Sequence, residues 1–271
     1  MKGVRSTNPR SSSSERHCGM NSLHLCLRQR NRIMALIEIE NLTKAYGLAP
    51  VLRKLNLTVE RGEFIALLGH NGSGKSTLLR LLCALSKPTA GTIRVGGWEL
   101  PKEAAAVRAQ IGVVSHKPLL YENLTALENL RFFASLYGGR YDETIYMERL
   151  KRVGLSKRAH DLVRTFSRGM QQRLSLARAT IHNPDILIMD EPYTGLDQDG
   201  NGLLDELLVQ AHRDGRTILM ATHDLDRAAT LASRVVIIAK GTVGFDAPTT
   251  EMDGMQLAGH YRTITGAAVE R

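Results

Sequence analysis

Eight consecutive residues, Gly69-His70-Asn71-Gly72-Ser73-Gly74-Lys75-Ser76, fit the spacing GxxxxGK[ST], and that spacing does phosphate chemistry. The glycines let peptide N–H groups turn inward around phosphate oxygens, Lys75 is placed to bridge the terminal phosphates, and the Ser76 hydroxyl can ligate Mg²⁺. His70, Asn71, Ser73 and Thr77 complete the stretch expected to bind nucleotide. The surroundings suit the loop: an apolar run, Phe64–Leu68, precedes it and a helical pattern, Ser76–Leu85, follows. The helix N-terminus adds partial positive charge where the anion would sit.

A second constellation is Ile186-Leu187-Ile188-Met189-Asp190-Glu191, four apolar residues ending in two acids. Alone it reads as an ordinary strand end followed by an acidic turn. Downstream of a phosphate loop it reads as a buried strand delivering Asp190 to Mg²⁺, with Glu191 placed as a general base on water.

These residues need elements to hold them. Leu36–Asn41 and Val51–Glu60 alternate apolar and polar positions, as half-buried antiparallel strands do. Phe64–Leu68, Ile111–Val114, Ile186–Met189, Thr217–Ala221 and Val235–Ala239 are short and continuously apolar, which suits strands covered on both faces of a parallel sheet. Between Tyr121 and Ala179 no strand pattern appears. Thr125-Ala126-Leu127-Glu128 is a capping box opening one helix, and further helices are expected over Asp142–Val153 and Arg168–His182. The expected fold is therefore α/β, with a helical insertion of about sixty residues. After Phe245 the periodicity fades.

Upstream of the acidic strand stands Phe166-Ser167-Arg168-Gly169-Met170-Gln171-Gln172-Arg173, and here the chain resembles the ATP-binding cassette (ABC) ATPases. The resemblance extends from about Leu36 to Phe245. Tyr46 looks like the aromatic on which adenine stacks, Asp197 in Thr194-Gly195-Leu196-Asp197 looks like the D-loop aspartate, and His223 in Ala221-Thr222-His223-Asp224 looks like the switch histidine. The family implies a P-loop NTPase cassette with a mainly parallel core sheet, an antiparallel β subdomain and a helical subdomain over about 117–180. The cassette is expected to span 34–246, with residues 247–271 as a C-terminal tail. It also implies ATP and Mg²⁺, a second ATPase chain meeting the first head to tail, and a separate membrane permease. The signature Ser167, Arg168, Gly169 and Met170 would act on the partner's ATP.

Two departures from the family pattern matter. Arg168 and Met170 replace the usual third and fifth signature residues, while the serine hydroxyl and glycine amide are kept. At the position where the family usually has glutamine, Val114-Ser115-His116-Lys117 places His116, which is expected to join Ser76 and Asp190 at the metal and Glu191 and His223 in catalysis. With the Tyr121–Phe132 and Glu191–Asp197 segments, this is similar to the haem-exporter ATPase of cytochrome c maturation. A multidrug or lipid-type exporter is the alternative. A non-transport cassette ATPase acting on DNA or ribosomes is a third reading, and it usually carries a second cassette, a coiled coil or a zinc module.

Composition sets the outer bounds. The chain has 271 residues, 43% hydrophobic and 23% charged, with formal net charge +9, the mix of an ordinary folded protein. Residues 1–33 hold seven basic side chains and one acid, Glu15. Most of the excess charge therefore lies in this Ser-rich tail, and no nucleic-acid partner is expected. The tail reads as a disordered arm, as a transit peptide, or as sequence preceding a true start at Met34 (or Met20); the last is preferred. Cys18, Cys26 and Cys83 form no metal spacing and suggest a reducing compartment. No apolar run approaches the ~18 residues of a membrane span. The expected location is peripheral, on the cytoplasmic face of the inner membrane.

Overall fold

The computed structural model describes residues 35–139, 141–250 and 252–266. The expectations for residues 1–33 lie outside the described residues. The chain opens with β1 (Ile37–Tyr46) and β2 (Ala49–Val59), an antiparallel pair. With β4 (Ala90–Val95) and β5 (Trp98–Leu100) they form a four-stranded sheet in the order β2-β1-β4-β5. The core sheet takes β3 (Phe64–Leu68), β6 (Ile111–Val114), β7 (Ile186–Asp190), β8 (Thr217–Ala221), β9 (Arg234–Ala239) and β10 (Thr242–Pro248). Its order is β10-β9-β3-β8-β7-β6, parallel except for the β9–β10 hairpin.

The continuous apolar runs are explained by two-sided burial. Successive strand residues point to opposite faces, so Ile65 and Leu67 of β3 enter one core cluster while Phe64, Ala66 and Leu68 enter another. Strand β9 divides in the same way, Val236 and Ile238 against Val235 and Ile237. The first cluster joins the core sheet to β1, β2 and helix α1 (Lys75–Leu82). The second lies beneath α6 (Gln198–Arg213) and α7 (Leu225–Leu231). Helix α2 (Ala104–Gln110) leads into β6.

A third cluster is helical. Helices α3 (Ala126–Leu136), α4 (Glu143–Arg152) and α5 (Arg168–Ala179) bury Leu127, Leu130, Tyr146, Leu150, Phe166 and Leu174 among themselves. Thr125 and Glu128 form the anticipated capping box, with Glu128 Oε2 accepting from the Thr125 N–H at 2.7 Å. The backbone and hydroxyl hydrogen bonds from Thr125 hold the Glu128 carboxyl below its usual range.

Three boundaries differ from the sequence expectation for local reasons. Strand β1 runs past Asn41 to Tyr46, because Asn41 takes a positive φ of 49° and the pairing with β2 resumes after register shifts. A bulge of this kind breaks the alternation on which a sequence reading depends. Helix α1 ends at Leu82 rather than Leu85, since Ala84 turns into the left-handed region at φ 55°. The stretch expected as a tail from 247 instead completes β10 and forms α8 (Gly254–Thr265). Asp253 and Gln256 make a capping box, Leu257 is fully buried, and Met252, Tyr261 and Ile264 pack on the second cluster. With a single fully buried side chain, α8 leaves little period to see.

Leu257→Ala removes that anchor and is expected to destabilise the chain by about 2–3 kcal/mol in urea unfolding. An unchanged midpoint would contradict the packing of α8 on the core.

Candidate active site

Where β3 ends at Leu68 the chain turns through Gly69, with φ 151°, and reaches Gly74, with φ 112°, at the N-cap of α1. Both glycines are sterically required. A Cβ on Gly69 would lie 2.4 Å from the Ile238 carbonyl oxygen, and one on Gly74 would lie 2.6 Å from Leu52 Cδ2. Lys75, the first helical residue, is buried, and its ammonium donates to the Gly69 carbonyl and, at 3.3 Å, to that of His70. Burial lowers the Lys75 pKa from its ordinary value, while the carboxylates of Glu191 and Asp190 work in the opposite direction.

Asp190 and Glu191 arrive from β7. The Ser76 hydroxyl donates to Asp190 Oδ1 at 3.3 Å. Glu191 leaves the strand at a positive φ of 52°, its N–H donating to the Ala221 carbonyl at 3.0 Å. A non-glycine residue in that region marks local strain, a frequent feature of functional sites. The strand end of β8 brings His223, whose Nδ1 lies 2.8 Å from Glu191 Oε2. The structure thus brings Lys75, Ser76, Asp190, Glu191 and His223 to one edge of the core sheet.

The loop fits a phosphate and a hard cation on its own chemistry. The Ser73 hydroxyl is buried without a hydrogen-bond partner, a condition that costs ~1–3 kcal/mol and that a phosphate oxygen would relieve. Ser76 and Asp190 offer oxygen donors of the kind Mg²⁺ prefers. His116 is exposed two residues beyond β6, the strand that pairs with β7, and no hydrogen bond or ion pair links it to the other described site residues. No group of three or more His, Cys, Asp or Glu residues converges among the described residues.

Tyr46 is 52% exposed at the end of β1, with Lys44 Nζ 4.9 Å from its ring centroid. It pairs with Ala49 across the hairpin, and Val51 and Leu52 of that same β2 strand flank Gly74. The ring, with the Lys44 ammonium over it, is thus half-exposed on the strand pair that abuts the phosphate loop. His70, Asn71, Gly72 and Thr77 lie where the loop places them, with His70 Nδ1 2.6 Å from the Asn71 carbonyl oxygen.

The signature residues stand apart from this cluster. Ser167 caps α5, its Oγ accepting from the Met170 N–H at 3.3 Å, and both Ser167 and Arg168 are exposed. Gly169 faces the chain at Gly195 and Leu196, and Asp197 caps α6 by accepting from the Gly200 N–H at 2.8 Å. Buried Gln172 donates to the Pro192 carbonyl at 3.0 Å, tying the signature helix to the segment after Glu191. None of the hydrogen bonds of the signature residues reaches the phosphate loop of the same chain.

Sequence reading missed a support network behind Glu191 and His223. Tyr193 Oη donates to Asp205 Oδ1 at 2.6 Å, and Arg227 reaches both Asp205 oxygens at 2.7 and 2.6 Å and Asp224 Oδ2 at 3.0 Å. The Arg227 guanidinium also lies 4.3 Å over the Tyr193 ring. Burial, and then the hydrogen bond to Asp205, raises the Tyr193 pKa well above the ordinary phenol range. The network joins the chain two residues after Glu191 to the residue after His223. Its members come from separate elements and have no fixed spacing, so no motif announces them. Arg227→Ala should lower kcat about tenfold by loosening the pair, with the ATP KM little changed and partial rescue by Arg227→Lys. A fall in thermal midpoint with unchanged kcat would instead make the network merely structural.

Over residues 52–194 the sequence matches the protein family described as ABC transporter. It is 40% identical over 217 residues to a fluoroquinolones export ATP-binding protein of Mycobacterium tuberculosis, covering 79% of this chain and 71% of that protein. It is 37% identical over 207 residues to the bacitracin transport ATP-binding protein BcrA of Enterococcus faecalis, covering 76% and 67% respectively. The fold is similar to a dimeric structure of the ATP-binding cassette MJ0796 in a post-hydrolysis state bound to ADP and Pi. That match has TM-score 0.74 and 30% identity, over 80% of this chain and 100% of that one.

Proposed function

This chain belongs to the ABC transporter family, and from that premise we propose that it is the ATP-hydrolysing subunit that powers export through a membrane permease supplied by another chain. The observation that carries the reading is the 2.8 Å contact of His223 with Glu191, beside Asp190, Ser76 and Lys75 at the mouth of the phosphate loop. No helix among the described residues is long and apolar enough to cross a membrane.

Each residue has a step. Lys75 exchanges the carbonyls of Gly69 and His70 for phosphate oxygens, and the loop amides and the Ser73 hydroxyl accept the remaining charge. Adenine stacks on the exposed face of Tyr46. Mg²⁺, held by Ser76 and Asp190, would neutralise charge developing on the phosphates. Glu191 accepts a proton from the attacking water, and His223 holds its carboxylate in place. The Ser167 hydroxyl, while accepting from Met170, still has a proton to donate. Its side-chain hydrogen bond stays within α5 and does not reach the phosphate loop of its own chain, which supports a role on the phosphate bound by a second copy. Two copies then close around two nucleotides and separate after hydrolysis, and the closed state drives the permease because ATP binds it preferentially.

The relatives named for fluoroquinolone export and bacitracin transport favour a drug-type exporter of amphiphilic cargo. The haem-export expectation, with its link to cytochrome c biogenesis, rested on His116 together with the Tyr121–Phe132, Phe166–Met170 and Glu191–Asp197 segments. The relatives named for fluoroquinolone export and bacitracin transport do not support it. Catalysis is assigned to Glu191 with His223, and His116, two residues beyond the strand that pairs with β7, is kept as a further participant in this proposal.

Glu191→Gln is expected to keep ATP binding, lose at least a hundredfold in hydrolysis, and accumulate as an ATP-dependent dimer by light scattering. Lys75→Ala is expected to weaken ATP binding itself and give no dimer. Near-normal turnover by Glu191→Gln would overturn its assignment as the base.

A further inference from the structure

Away from the phosphate loop, α4, α5 and α6 enclose an open cavity of about 640 Å³, within the size range of small-molecule sites. One part of its wall is apolar, with Leu176 and Ala177 from α5, Leu187 from β7, and Leu207, Leu208 and Ala211 from α6. Three guanidinium groups line it as well: Arg149, Arg152 and Arg216.

Their partners leave positive charge unspent. Arg152 is paired with Glu148 at 2.5 Å. Arg216 Nη2 donates to Asn183 Oδ1 at 2.5 Å, but its Nη1 is buried with no partner. Arg149 is half-buried and makes no hydrogen bond or ion pair with any described residue. Burial, and then the nearby charges of Arg152 and Arg216, push its pKa down. Two acids also line the cavity: Asp214 accepts from Gln210 Nε2 at 2.8 Å, and Glu206 is exposed on α6. Neither pairs with Arg149 or Arg216.

A leucine-lined cavity with one guanidinium free of any hydrogen bond or ion pair, that of Arg149, is complementary to one kind of ligand. We propose that this cavity binds a small amphiphilic anion, an acyl carboxylate or its like. Its head group meets Arg149, and its apolar body lies against Leu176, Leu187 and Leu207. A guanidinium binds a carboxylate through paired N–H donors, and the acyl body replaces water over the leucines. The site differs from the nucleotide site in place and chemistry. It lies between the helix that begins at the signature and the helix capped by Asp197, so an occupant touches both.

The test is calorimetric titration of the full chain with sodium decanoate below its micelle concentration, with decanol as the uncharged counterpart. Saturable binding at one site per chain is expected, unaffected by ATP and at least tenfold tighter for decanoate than for decanol. Arg149→Ala should weaken decanoate at least tenfold while leaving the melting temperature and ATPase rate near those of the parent, because that side chain has no partner to lose. Ala211→Trp should fill the chamber and abolish binding of both probes. If Ala211→Trp does not fold, Arg149→Ala alone decides. The proposal is overturned by any of four results: no saturable decanoate binding, equal affinity for decanol, displacement by ATP, or full affinity in Arg149→Ala.

Discussion

The register of β8 between β3 and β7 is the constraint on which the rest depends. Leu67 pairs with Ala221, and Ala221 pairs with Asp190, so three strands running the same way end together. One end releases the phosphate loop, the next presents Asp190 and Glu191, and the third delivers His223. The strands hold this register because each is buried on both faces by different clusters. A one-residue slip would exchange the faces of Ile65 and Ala66 and disrupt both cores. The order of the sheet is thus also the address of the chemistry, as in other open α/β sheets whose sites lie beyond the carboxyl ends of the strands.

Within that frame, charge accounts for the state of the loop. A buried ammonium, a buried hydroxyl and two carboxylates gather at the loop, and of these the Ser73 hydroxyl has no hydrogen-bond partner. Lys75 settles on the carbonyls of Gly69 and His70, groups that a bound polyphosphate would replace with full negative charge. The Arg227 network ties the segment after Glu191 to the residue after His223. Stability is given up locally so that the site is ordered before substrate arrives, a common basis of electrostatic catalysis.

Much of this was legible in the sequence where residue type and spacing are bound to one geometry. The GxxxxGK[ST] loop, the capping box at Thr125 and the fully apolar strands were of that kind, and Phe64–Leu68, Ile111–Val114 and Thr217–Ala221 appear with the bounds the pattern suggested. Strands β4 and β5 and helices α6 and α8 were harder, because they bury few residues or carry mixed polar faces. Tyr193, Asp205 and Arg227 were invisible for a different reason: their contacts join residues up to 34 positions apart, and only folding brings them together. His116 was legible only as a family position: its side chain is exposed two residues beyond β6, and no hydrogen bond or ion pair of the structure gives it a role.

The separation of the signature from the phosphate loop of its own chain carries the central claim, that a working site is shared by two copies. Ser167 and Gly169 stand at the start of α5, with no hydrogen bond to the loop that would hold ATP. The direct measurement is hydrolysis by a mixture of two inactive variants, Lys75→Ala and Ser167→Arg. If sites are shared head to tail, a mixed pair contains one site with both lesions and one with neither, so the mixture should hydrolyse ATP faster than the two variants measured separately and summed. A mixture no more active than that sum, under conditions where mixed pairs are shown to form, would contradict the account.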